Sequence, residues 1–198
     1  MSGLFDFDHR NGLFGLLETK RKVFISYHHG GDRAYYDALS RTFCDQYEVF
    51  HDTSLERAID SDNTDYVRWR LAEKCITGSS CTIVLIGRET WGRKFVDWEI
   101  DATLERGHGL IGLMLPAGGL GLLSLANIVP PRLQDNVQSG YAVLHSWNEV
   151  TASAAAMKQA IELANSRPAF LIKNDRPRRY RNAEGSPRHA QRAFSGLF

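Results

Sequence analysis

Glu99 is the side chain best placed by type and spacing to do chemistry. It closes the run TWGRKFVDWE, residues 90–99, in which Trp91, Phe95 and Trp98 bring aromatic rings close to one carboxylate. A carboxylate in such surroundings can accept hydrogen bonds from ligand hydroxyls and stabilise positive charge as it develops. Upstream lies Cys81–Ile86 (CTIVLI), a near-continuous apolar run of the kind a parallel strand shows when both its faces are covered. Gly87 ends that strand. In open α/β folds, ligands bind just beyond the carboxyl ends of the strands, so Glu99 is expected at a ligand-binding edge.

The elements that would position it alternate along the chain. Val23–Tyr27 (VFISY) is β-branched and aromatic and is expected to be the first strand. Asp32 is suited to cap a following helix on which Tyr35, Leu39 and Phe43 recur at four-residue spacing. Tyr47–Phe50 is a short second strand, followed by a polar segment, residues 51–63, and a helix from Thr64 to about Cys75. After the Cys81–Ile86 strand comes a helix from about Lys94 to Glu105, stopped by Gly107. Leu110–Leu115 is the fourth strand, and residues 116–140 are a long glycine- and proline-containing connection of the kind that is functional or mobile. Tyr141–Leu144 is the fifth strand, and an alanine-rich helix opens at Asn148 or Thr151 and runs to about Asn165. Strands alternating with helices imply right-handed crossovers. The expectation is a flavodoxin-like, three-layer α/β fold with a five-stranded parallel sheet in the order 2-1-3-4-5.

Residues 1–21 are expected to be a weakly ordered extension, 22–166 the domain, and 167–198 a basic tail, largely disordered. That tail holds eight Arg and Lys residues against Asp175 and Glu184, although the whole chain carries a net charge of only +1. SGLF occurs at residues 2–5 and 195–198, and GLF at 12–14. This repetition suggests a docking or self-association element, set against chance or apolar cover for the domain surface.

Several chemistries drop out. The near-neutral balance does not point to nucleic acid or membrane. No apolar run nears the roughly 20 residues that span a bilayer, and the N-terminus lacks the pattern of a secretory signal. Cys44, Cys75 and Cys81 show no metal-ligand spacing and suit a reducing cytoplasm. A phospho-receiver needs acids at the ends of the first and third strands, where this chain has Ser26-Tyr27-His28 and Ile86-Gly87-Arg88. Neither a GxxxxGK[ST] loop nor a GxGxxG after a strand is present, and there is no GxSxG elbow.

Three blocks in order carry a resemblance to a known family: VFISYHHGGD (residues 23–32), VFHDTSLERAID (49–60), and CTIVLIGRETWGRKFVDWEI (81–100) followed by GHGLIGLMLP (107–116). Together they resemble the Toll/interleukin-1 receptor (TIR) superfamily, and most of all its bacterial TIR-like branch of Thoeris anti-phage systems, the ThsB type. The resemblance covers roughly residues 22–166. It implies cleavage of NAD between nicotinamide and ribose, with the ADP-ribose product released or cyclised as a second messenger for a separate effector protein. Glu99 matches the catalytic glutamate of the family. His28 falls in a loop facing the substrate, and Asp52 opens the loop after the second strand. NAD is then substrate, with no cofactor and no metal implied, and self-association is expected.

Nicotinamide departure leaves positive charge on the ribose, as in the oxocarbenium-like transition state of glycoside cleavage. Nicotinamide needs no proton to leave, so one carboxylate suffices. Tyr27 and Trp91 are candidates to stack on a base and exclude water, and Arg88 and Arg93 to meet the pyrophosphate. Against each stands an ordinary structural role: a solvated helix glutamate, loop histidines and arginines in water, a turn aspartate, and Trp98 in the core. Two other functions compete, a non-enzymatic TIR assembly module and a plain NAD glycohydrolase that acts by depletion.

Overall fold

Alternating faces of short apolar strands build the sheet. The computed structural model describes residues 21–45, 47–50, 78–116 and 128–183. Its strands are β1 (Arg21–Ser26), β2 (Tyr47–Phe50), β3 (Ser79–Ile86), β4 (Gly109–Met114) and β5 (Val143–Ser146). All pair in parallel, in the order β2-β1-β3-β4-β5. The expected parallel α/β architecture is therefore present, and its strands differ from expectation only at their ends.

The apolar run of β3 is explained by cover on both sides. Cys81, Ile83 and Leu85 join Val23, Ile25 and Tyr27 in one core, beneath α1 (His29–Phe43) and α5 (Ala154–Asn165). Val84 and Ile86 join the opposite core beneath α2 (Lys94–Glu105) and α3 (Pro131–Gln138), with Leu110 of β4 and Leu133 of α3. Cys81 is fully buried, and burial raises its thiol pKa, which makes it an unreactive core residue. α2 ends where Gly107 takes φ +64°, a conformation that favours glycine. The Gly107 and His108 amides then bond back to Leu104 and Thr103 carbonyls at 3.1 and 3.2 Å.

Several expectations are corrected. α1 starts at His29 with His28 at its N-cap, so Asp32 is not the N-cap residue; it stands in the first turn, its carboxylate accepting the Thr90 hydroxyl. The connection expected over residues 116–140 contains α3, opened by Pro131 at its first turn, where a missing N–H costs nothing. β5 starts at Val143 because the preceding pair is already engaged: Tyr141 donates its hydroxyl to His108 O at 2.9 Å, and the Ala142 amide bonds Asn136 O at 2.9 Å. The closing helix is two helices. α4 (Trp147–Thr151) opens with a capping box between Ser146 and Glu149, and Ser153 caps α5.

The largest correction concerns the C-terminal segment. Residues 167–183, expected to be disordered, pack along α2 and α3 through partly buried hydrogen bonds and ion pairs. Arg176 and Arg178 meet acids that are distant in sequence, which composition alone does not reveal. The N-terminal extension up to residue 20, the segment 51–63, the Thr64–Cys75 helix, Cys75 and both SGLF strings lie outside the described residues. Among the described residues no helix is long and apolar enough to cross a membrane.

Candidate functional site

The carboxyl ends of β1, β3 and β4 open onto a cleft of about 240 Å³. His28, Gly31, Asp32 and Tyr35 line it from β1 and α1, Gly87, Arg88 and Glu89 from β3, and Leu115 and Pro116 from β4. It lies where crossovers leave the sheet in opposite directions, α1 to one face and α2 to the other, the usual position of ligands in open parallel sheets.

Asp32 is the buried acid of this cleft, at 6% exposure. Its Oδ2 accepts the Thr90 hydroxyl at 3.0 Å, and Thr90 Oγ1 in turn accepts the Gly87 amide at 2.9 Å. This relay ties the first turn of α1 to the β3–α2 loop. A Cβ on Gly87 would fall inside the Asp32 carboxylate, so any larger residue there must displace Asp32. Burial raises the Asp32 pKa above its ordinary value, and the Thr90 hydrogen bond and nearby His28 partly oppose that rise. His28 Nε2 stands 3.4 Å from Glu89 Oε2, and Arg93 also bonds Glu89. Glu89 is 64% exposed, so these are rim contacts of small energetic worth.

Glu99 does not line the cleft. It is 7% exposed, in the second turn of α2. Its backbone carbonyl accepts the Thr103 hydroxyl at 2.7 Å, and Thr103 Oγ1 lies 2.8 Å from Thr82 Oγ1 of β3. Because the single Thr103 proton goes to Glu99 O, Thr82 is the donor in the second bond. Thr103 therefore faces the sheet at Thr82, and Glu99 stands one helical turn, about 6 Å, before it along α2. Ser26 of β1 is in register with Val84. It is 1% exposed, and its hydroxyl has no partner among the described residues.

The sequence-derived candidates thus divide. The structure brings His28 and Arg88 together in the cleft. Tyr27 is 4% exposed, stacked on Tyr36 at 4.9 Å and hydrogen-bonded with His29, on the sheet face away from α2. Trp91 is 7% exposed in a 3-10 turn, Thr90–Gly92, with the Arg179 guanidinium 5.9 Å from its ring centre. Trp98 is buried, as expected, and donates Nε1–H to Arg179 O at 2.7 Å. Asp52 lies outside the described residues. Sequence reasoning missed Asp32 and Glu89 as site residues. The available signal was an aspartate following two glycines at a helix start.

Among the described residues no three His, Cys, Asp or Glu side chains converge to hold a metal. Residues 24–118 match the family model described as Thoeris protein ThsB, TIR-like domain. No curated protein matches the chain.

Proposed function

Since residues 24–118 are a Thoeris ThsB-type TIR-like domain, we propose that this protein cleaves NAD at the nicotinamide–ribose bond, with Glu99 as the carboxylate that supports the ribosyl cation. The observation that carries this is the burial of Glu99 in α2, one turn before Thr103, whose hydroxyl meets Thr82 of β3. A carboxylate removed from bulk water exerts a stronger field on a developing cation than one in solvent.

In the proposed reaction the C1′–N bond breaks, and its electron pair goes to the nicotinamide nitrogen, neutralising the pyridinium. The ribosyl cation left behind is captured by water or by a nucleophile of the substrate itself. Capture from within yields a cyclic ADP-ribose, which serves as messenger to a separate effector in anti-phage defence. Capture by water yields ADP-ribose. Arg88 at the cleft rim meets the pyrophosphate, and His28 lines the approach. Tyr27 is left out of the proposed site, because Tyr36 already occupies its ring face.

Nicotinamide release is the test. Purified full chain is assayed with NAD, alone and in lysate from infected cells, beside Glu99→Gln. The variant keeps shape and hydrogen bonding but loses the charge, and its rate is expected to fall on the order of 100- to 1000-fold, the usual cost of removing one preorganised stabilising group. No turnover by the unaltered chain under either condition would leave an assembly module as the better account. Product mass separates cyclisation from hydrolysis.

A further inference from the structure

Among the described residues, the C-terminal segment bonds α2 along one stripe. Lys94, Asp97, Trp98, Asp101 and Glu105 follow the i, i+3, i+4, i+7 spacing of one helix face, and each bonds to residues 174–182. Asn182 Oδ1 accepts the Lys94 amide at 2.9 Å, an orphan donor of the first helical turn. Arg93, at the N-cap position, offers that turn no side-chain bond, so α2 takes its cap from a residue 88 positions away. The Arg179 amide reaches Asp97 Oδ2 at 3.0 Å, Trp98 reaches Arg179 O, and Arg178 pairs with Asp101 and Glu105.

The segment is itself seated on α3. Arg132, with no exposed surface, grips Asp97 through Nε and Nη2 at 3.0 and 3.3 Å and bonds the carbonyls of Arg176 and Pro177 at 3.0 and 3.3 Å. At the 3-10 turn, the Ala183 amide bonds Gly92 O at 2.8 Å, and a Cβ on Gly92 would meet Ala183 Cβ at 2.7 Å. At 100° per residue, Glu99 and Thr103 fall on the side of α2 opposite this stripe.

We propose that residues 173–183 are a positioning strap for Glu99: they cap α2, fix its rotation and hold its far side against the sheet, with Asn182 as the positioning residue at the cap. The catalytic consequence rests on the NAD reading above; the mechanical one does not. In the full chain, Asn182→Ala is expected to raise amide hydrogen exchange over residues 94–99 about fivefold, the usual effect of a lost cap. It is also expected to lower kcat for nicotinamide release by a similar factor with KM unchanged. Asn182→Asp, which keeps the acceptor and adds charge favourable at a helix N-terminus, restores both.

Unchanged exchange in Asn182→Ala overturns the strap. Faster exchange with unchanged kcat overturns its positioning role, since the segment would then be only structural. If the unaltered chain releases no nicotinamide, the NAD reading fails, while faster exchange in Asn182→Ala with recovery in Asn182→Asp still supports the strap.

Discussion

Asp32 holds a carboxyl where water scarcely reaches, and its burial gives stability a definite dependence on pH. The folded chain raises its pKa above the ordinary 3.8, chiefly by desolvation. Between that ordinary value and the raised folded one, the unfolded chain has lost the proton and the folded chain still binds it. Fewer protons on the unfolded state mean that stability falls as pH rises through this window. Asp32→Asn keeps an acceptor for the Thr90 hydroxyl and cannot ionise. Denaturant midpoints measured from below pH 3.8 to neutrality are expected to lose that fall, leaving the variant more stable than the unaltered chain at neutral pH. A variant with the same pH slope would show that Asp32 ionises as freely in the folded chain as in the unfolded one. The role of Asp32 was hidden in the sequence because an aspartate near a helix start serves as a cap far more commonly than as a buried acceptor. Its true partner, Thr90, is 58 residues away.

At the level of elements, α2 and α3 are joined by charge as much as by apolar contact. Arg132 stands between Asp97 and Asp101, its Nη1 3.3 Å from Asp101 Oδ1, and all three side chains are almost without exposure. Replacing one member of such a buried set strands the others, typically at a cost of about 3–5 kcal/mol. Arg132→Met, close in length and without charge, is expected to lower the unfolding free energy by that amount in equilibrium denaturation. A loss below about 1 kcal/mol would mean the two aspartates find water or protons instead. α2 itself was legible almost to the residue, since its apolar positions and Gly107 are local signals. α3 was not, because eight residues among prolines and glycines carry little periodicity. The Pro131 start was the one available cue.

For the molecule as a whole, the near-zero net charge conceals an internal match: two arginines of the C-terminal segment lie on acids of α2 and α3. Asp135 takes Arg176, and Asp101 and Glu105 take Arg178. Asn136 works alongside them as a strand would, donating to Lys173 O at 2.7 Å and accepting the Lys173 amide at 3.0 Å. A chain ended after Asn165 loses all of these together with the α2 cap, and leaves Arg132 with only its aspartates. Its melting temperature is expected to drop by about 10 °C, given roughly 2–4 °C per kcal/mol at this chain length. Coincidence of the two melting curves would mean that the segment rides on the domain without supporting it. The parallel sheet could be read from the sequence because each strand signals its own burial. The segment could not, because a basic, proline-containing stretch looks disordered until its acids are known.

One consequence concerns the unit that inheritance and engineering have to respect. The matched segment, residues 24–118, contains Asp97 and Asp101 but neither Arg132 nor Arg178. Two acids inside the recognisable domain are thus neutralised by bases outside it. Grafting that segment onto another scaffold would carry the debt without the counter-charges. A substitution at either aspartate can be interpreted only together with an arginine far downstream, so the genetic unit is longer than the part that can be recognised.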